Sequence, residues 1–123
     1  MLTPSTNPSK NYAIIDSVEA TDPSDLHSIV SRSHEAQYAW KQVSLTDRVD
    51  ILRSVYRECD LSREDLAESI AREMGMPVRQ ARDEVEYGMV YFSWYLDHAT
   101  DHLSPEITRE TLTELHTVYY EPR

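Results

Sequence analysis

Two histidines one helical turn apart, His98 and His102 in the segment HATDH, have a type and spacing that suggest chemistry. Imidazoles at i and i+4 on a helix can share a zinc ion, but the general-base glutamate of HExxH is absent here and no third ligand stands out. Read without a metal, they are solvated histidines near a helix C-terminus, where the backbone dipole favours positive charge. Cys59 is the single cysteine. It sits in YRECDL on the apolar side of a helical repeat, whereas a reactive thiolate needs an electropositive, partly open setting, so packing is its expected role. One cysteine also excludes an internal disulfide and any multi-cysteine zinc site. Asp83, Glu84 and Glu86 crowd one stretch, but neighbouring helical positions diverge, and a solvated polar face is expected rather than a facing acid–base pair. Tyr87, Tyr91 and Trp94 recur at helical spacing and either line a ligand channel or pack against another element. The residues alone assign no catalytic, cofactor-binding or metal-ligating set.

Composition narrows the remaining classes. The 123 residues carry 12 Lys+Arg and 22 Asp+Glu, a formal charge of −10. Such a chain repels nucleic acid and anionic membrane surfaces, so neither is expected as a partner. Its length suits one domain at most. Phosphate-cradling loops need closely spaced glycines, and the only two here, Gly75 and Gly88, are far apart, so a P-loop or dinucleotide fingerprint is excluded. No apolar run approaches the ~20 residues of a membrane span, and the opening MLTPSTNPSK lacks the apolar core of a signal peptide. A soluble, cytoplasmic chain is expected.

Any site must be held by elements that the hydrophobic pattern predicts. The first dozen residues are polar, with Pro4 and Pro8, and read as an irregular or extended lead-in. Tyr12–Ala20 carries Ile14, Ile15 and Val18 and predicts one short strand. Asp22, Ser24 and Asp25 then offer N-cap candidates. Leu26, Ile29, Val30, Ser33, Ala36, Trp40 and Val43 repeat as one stripe of an amphipathic helix. The run from Ser44 to Asp47 restarts the pattern, with Leu45, Val49, Leu52, Val55, Tyr56 and Cys59 as the buried face of a second helix. Ser62 is placed to cap a third, with Leu66, Ile70 and Met74 inward and Gly75 as its stop. Pro77 can open a fourth helix reaching about Leu103, and Thr113–Glu121 reads as a closing strand. The expected fold class is therefore mainly α: four helices with short N- and C-terminal strands.

The fourth helix carries two apolar stripes. Val78, Ala81, Val85, Met89, Phe92, Leu96 and Leu103 form one, and Tyr87, Tyr91, Trp94 and His98 form the other. A surface helix needs only one apolar face, so this one is expected to meet neighbours on both sides. A lone closing strand likewise needs a ladder partner. The chain reads as part of a larger domain or assembly.

NPS at Asn7–Ser9 precedes the predicted strand, and DPSDLHSIVSRSHEAQYAW, LTDRVDILR, LAESIAREMGMPVRQARDEV and FSWYLDHA follow in that order. This succession resembles the N-terminal quarter of the NAD(P)-dependent aldehyde dehydrogenase superfamily. The counterparts there are an NP-A/S-TG opening, an A-F-xx-W helix end, an R-xx-xL-R helix, an E-TGKP turn and an F-x-YYA helix. The match runs from Asn7 to Pro122, and a succinate-semialdehyde-type branch is plausible. NPSKN departs from the pattern by lacking TG, and Met76 stands where the family turn has a lysine, which is not the cofactor-binding one.

The resemblance implies the N-terminal segment of an α/β fold, with residues 1–102 as the helical part of the cofactor-binding domain and 103–123 as the start of an oligomerisation arm. It implies a parent enzyme that oxidises an aldehyde to a carboxylic acid with NAD or NADP, through a thiohemiacetal on a catalytic cysteine and hydrolysis of a thioester. The cysteine, the base glutamate, the asparagine and the cofactor-binding segments of the family all lie beyond YYEPR. The 123-residue chain alone is therefore expected to be inactive and to bind no cofactor. Tyr87 matches a position that lines the substrate tunnel in relatives. Thr6 and Glu73 match positions near main-chain carbonyls that hold a monovalent cation in some of them. The implied partners are the remainder of the fold or another copy of the chain in a homo-oligomer. Arg123 at the end would also fit tryptic trimming. Two other readings stay open: a stand-alone helical interaction protein derived from the enzyme, and a small metal-binding helical domain built on His98 and His102.

Overall fold

The computed structural model describes residues 1–121; Pro122 and Arg123, which close the YYEPR segment, lie outside the described residues. Four helices carry the architecture: α1 (Leu26–Gln42), α2 (Leu45–Leu61), α3 (Arg63–Met74) and α4 (Val78–Leu103). Two strand pairs flank them, β1 (Leu2–Asn7) with β2 (Ala13–Glu19) and β3 (Glu106–Glu110) with β4 (Leu115–Val118), both antiparallel and in separate sheets. The mainly helical class follows the sequence reading.

Local chemistry explains most boundaries. The Asp22 carboxylate accepts the Ser24 N–H at 2.8 Å and opens a short 3-10 turn, Pro23–Asp25, that leads into α1. Ser44 Oγ accepts the Asp47 N–H at 3.1 Å and caps α2. Gly75 ends α3 in the left-handed region at φ 70°, and Pro77 sits just before α4. Ser62, expected to cap α3, makes no side-chain cap bond; its N–H instead closes the last turn of α2 on Glu58 and Cys59, so α2 runs almost directly into α3.

The core lies between α2, α3 and α4. Ala67 and Ala81 are wholly inaccessible, Val85 and Met89 are buried beside them, and Tyr56, Cys59, Ile70, Ala71 and Met76 pack around this group. Two alanines facing each other let α3 and α4 approach closely. On α4 the stripe of Ala81, Val85, Met89 and Leu96 is buried as expected, and Phe92 meets Tyr56 edge to face at 5.6 Å between ring centroids.

Several expectations need correction. On α3, Ala67 rather than Leu66 faces inward, and Met74 is 65% exposed; the bulky residues outweighed the alanine in the pattern, although the alanine is what fits the tight helix contact. On α2, Val49 is buried, and Leu52 and Val55 are exposed at the rim. The stripe of α1 is present but none of its residues is fully buried: Ile29, Trp40 and Val43 are half-buried, and Leu26, Val30, Ser33 and Ala36 are exposed. The lead-in takes the extended of its two expected forms: Leu2–Asn7 forms β1, pairing with β2 through a bulge at Ser5/Thr6 and a turn with Asn11 and Tyr12 at positive φ. Pro4 is accommodated because a two-stranded ladder consists only of edge strands. The closing strand is shorter than Thr113–Glu121 and is not alone, since Glu106–Glu110 supplies its ladder partner.

The N-terminal hairpin is tied to α3. Ser5 Oγ donates to the Glu73 carboxylate at 3.3 Å, and the buried Asn7 side chain accepts from the Ser9 N–H and hydroxyl at 3.0 and 2.7 Å. The Lys41–Glu121 ion pair brings the end of the described chain to the C-terminal turn of α1.

Candidate functional site

The aromatic stripe of α4 is exposed along the helix side opposite the core. Tyr87 and Tyr91 are each 64% exposed and Trp94 is 48% exposed, with Val90 and Tyr95 also open to solvent. Toward the C-terminal end, Trp94, His98 and His102 stack at successive turns. The Trp94 and His98 ring centroids lie 4.4 Å apart at 15°, and those of His98 and His102 lie 6.3 Å apart at 23°. His98 Nδ1 is 2.7 Å from the Trp94 carbonyl oxygen, which fits donation of its N–H along the helix. That bond takes one ring nitrogen of His98 out of metal chemistry. Among the described residues no group of three His, Cys, Asp or Glu side chains is placed to hold a metal ion.

Beside this stack, α2 and α4 diverge and leave an apolar cavity of about 580 Å³, with Trp40 at the end of α1 closing one side. Leu45, Leu52, Phe92 and Leu103 supply its walls, and Arg48 reaches into the same lining. Buried Arg48 Nε has no hydrogen-bond partner among the described residues. The sequence reading passed over Arg48, although one signal marked it: Arg48 lies three residues after Leu45 and four before Leu52, which puts a guanidinium on an apolar stripe. Tyr87 is at the far end of the aromatic stripe and lines neither this cavity nor the shallower cleft by Glu86, Val90 and Trp94.

The remaining sequence candidates separate. Cys59 is half-buried, unpaired, and packed against the core of Ala67, Ala81, Val85 and Met89. Glu86 pairs with Arg63, while Asp83 and Glu84 are exposed and lie outside the cavity. Arg53 donates to Asp97 at 2.9 Å and Ser93 Oγ donates to it at 3.3 Å; the Arg53 hydrogen bond is the main reason the Asp97 carboxyl stays below its ordinary range. Arg82 holds Glu64 below the carboxylate range in the same way. The segments of Thr6 and Glu73 do come together, through the Ser5–Glu73 hydrogen bond. Neither glycine forms a phosphate cradle: Gly75 is a helix cap against Pro8 and Ser9, and Gly88 is inside α4. The described residues thus do not fit a dinucleotide.

Comparison with known proteins supplies the context for these exposed faces. The model of the aldehyde dehydrogenase family matches residues 2–123. Among curated proteins, the Probable succinate-semialdehyde dehydrogenase, NADP(+), of Sinorhizobium fredii is 31% identical over 93 residues, which are 76% of this chain and 19% of that protein. The mitochondrial succinate-semialdehyde dehydrogenase of Homo sapiens is 29% identical over 75 residues, 61% of this chain and 14% of its own. Among solved structures, Gox0499 overlays with a TM-score of 0.83 at 22% identity, over 97% of this chain and 26% of that one. The aldehyde dehydrogenase of Brucella melitensis overlays with a TM-score of 0.80 at 21% identity, over 92% and 23%. At that identity the overlays establish the fold. The chain spans about a fifth or less of the curated relatives it matches.

Proposed function

The chain belongs to the aldehyde dehydrogenase family, and on that premise we propose that it is the N-terminal helical portion of an enzyme that oxidises an aldehyde to a carboxylic acid with NAD or NADP. Residues 1–102 would form the helical layer of the cofactor-binding domain and 103–123 the start of an arm that pairs with a neighbouring subunit. The observation that carries this reading is the mismatch between amphipathic pattern and burial. No residue of the α1 stripe is fully buried, and the aromatic face of α4 stands open, although each is patterned for contact. A family member with four to five times this length supplies the surfaces such faces are built to meet. Tyr87, in this reading, faces the substrate tunnel of the parent. Succinate semialdehyde is the aldehyde favoured, because the curated relatives reported above carry that name.

The 123 residues alone carry no nucleophile, base or phosphate-binding loop, so they neither turn over an aldehyde nor bind NAD or NADP. Their partners are the remainder of the fold or a second copy. The test is an intact-mass measurement on the protein purified from its native source, together with the open reading frame that encodes it. A product several times 14.3 kDa supports the portion reading. A stable native product of 14.3 kDa, monodisperse and helical alone, supports instead a stand-alone helical interaction protein that uses the exposed α4 face.

A further inference from the structure

The cavity between α2 and α4 combines two properties that the family reading does not call for. Its walls are aliphatic and aromatic, and its volume of about 580 Å³ falls within the range of small-molecule sites. Its charge also runs against that of the chain. The protein has 22 acidic residues, yet the ionisable side chains lining this cavity among the described residues are Arg48, His98, His102 and Tyr95, with no Asp or Glu. Arg48 is the residue that needs explaining. Arg53, Arg63, Arg82 and Arg109 meet carboxylates, as in Arg53–Asp97, Arg63–Glu86 and Arg82–Glu64, whereas Arg32, Arg57, Arg72 and Arg79 are without one on the exposed surface. Arg48 makes no ion pair among the described residues, and its buried Nε is left without an acceptor. Arg48 lines the cavity with no carboxylate beside it, so a carboxylate brought by a ligand supplies the missing counter-charge.

We propose that this cavity binds a free monocarboxylate with an apolar body, its chain lying between Leu45, Leu52 and Phe92 and its carboxylate accepting from Arg48. The carboxylate is favoured over a neutral head because the guanidinium is a fixed cation with a fork of donors that matches two carboxylate oxygens. The occupant is a small molecule because the volume suits one and the walls are apolar apart from Arg48, His98, His102 and Tyr95. The site is separate from the dehydrogenase reaction, and the proposal is made for the 123-residue chain, in which the faces around Trp40 and Trp94 are uncovered.

The two tryptophans of the chain, Trp40 and Trp94, both line the cavity and give a built-in signal. Decanoate, kept below its micelle concentration, is titrated into the 123-residue chain and followed by tryptophan fluorescence, with calorimetry for stoichiometry. Expected is saturation at one decanoate per chain, with decanol, of the same body and no charge, binding about tenfold more weakly. Arg48→Met brings decanoate down to the decanol level and leaves decanol unchanged, Arg48→Lys retains an intermediate affinity, and Arg57→Gln, on the exposed side of α2, changes nothing. Equal affinity for decanoate and decanol, or an unchanged decanoate affinity in Arg48→Met, overturns the proposal, as does the absence of saturation. If Arg48→Met fails to fold, the comparison of the two ligands on the unaltered chain decides alone.

Discussion

The chain has two glycines, and the structure assigns opposite signs to replacing each by alanine. Gly75 sits at φ 70°, where an L-residue's Cβ crowds the following carbonyl at roughly 1–2 kcal/mol. Its added Cβ would also lie 2.9 Å from the Ser9 backbone nitrogen and 3.2 Å from Pro8 Cβ, so the 3-10 turn after β1 has to move away from α3. Because the closest atom is backbone, the movement disturbs the Asn7–Ser9 hydrogen bonds as well. Together these give a destabilisation of about 2–3 kcal/mol for Gly75→Ala. Gly88 lies inside α4 with nothing within 4 Å of the added Cβ. There alanine removes backbone freedom from the unfolded chain at no steric cost, and Gly88→Ala should stabilise by about 0.5–1 kcal/mol. Urea unfolding followed by far-UV circular dichroism measures both, read as a shift in midpoint at constant slope. Equal effects of one sign would refute the reasoning, because they would mean that the left-handed cap and its contact with the N-terminal hairpin do not govern Gly75.

Core and surface should separate cleanly: Met89→Ala, which opens a hole beside Ala67 and Ala81, should cost about 2–5 kcal/mol, and Tyr87→Ala less than about 0.5 kcal/mol, both by urea unfolding. The aromatic face of α4, with residues 113–120, should drive self-association of the isolated chain to a dimer or larger species. Sedimentation should show Trp94→Glu weakening this far more than Glu64→Lys, and a compact monomer at high concentration would rule it out. Asp97, Glu64 and Asp22 have carboxyls held below their ordinary values by Arg53, Arg82 and Ser24 respectively. Groups with lowered folded values add stability above the unfolded value and lose it as pH falls through the folded one, so urea midpoints should decline below about pH 4. Arg53→Gln should flatten part of that decline, and a decline unchanged in shape would remove Asp97 from the explanation.

Much of the fold was legible because its punctuation is chemical. Ser44 and Gly75 are local signals whose geometry needs no knowledge of the partner, and the two stripes of α4 follow from period alone. Rotation of a helix about its own axis is harder to read, because it depends on what the neighbour can accept. Ala67 faces inward since α4 brings Ala81 against it, and neither alanine weighs much beside Leu66 or Met74 in a hydrophobicity pattern. Strand β3, EITRE, escapes notice and β1, LTPSTN, reads no further than irregular or extended, because an exposed two-stranded ribbon imposes no alternation of apolar and polar residues. Arg48 was hidden for the converse reason, as a charged residue on an apolar stripe that only the cavity explains. For α1 the stripe was visible, and the described residues leave most of it exposed.

The central claim is that these 123 residues have the family's helical layer without its chemistry. Dehydrogenase turnover by a mass-verified 14.3 kDa preparation, assayed with succinate semialdehyde and both NAD and NADP, tests it most directly. The account predicts nicotinamide reduction no faster than the protein-free reaction, and the same result for Cys59→Ser. Saturable turnover by the verified chain would contradict it, whichever residue proved responsible.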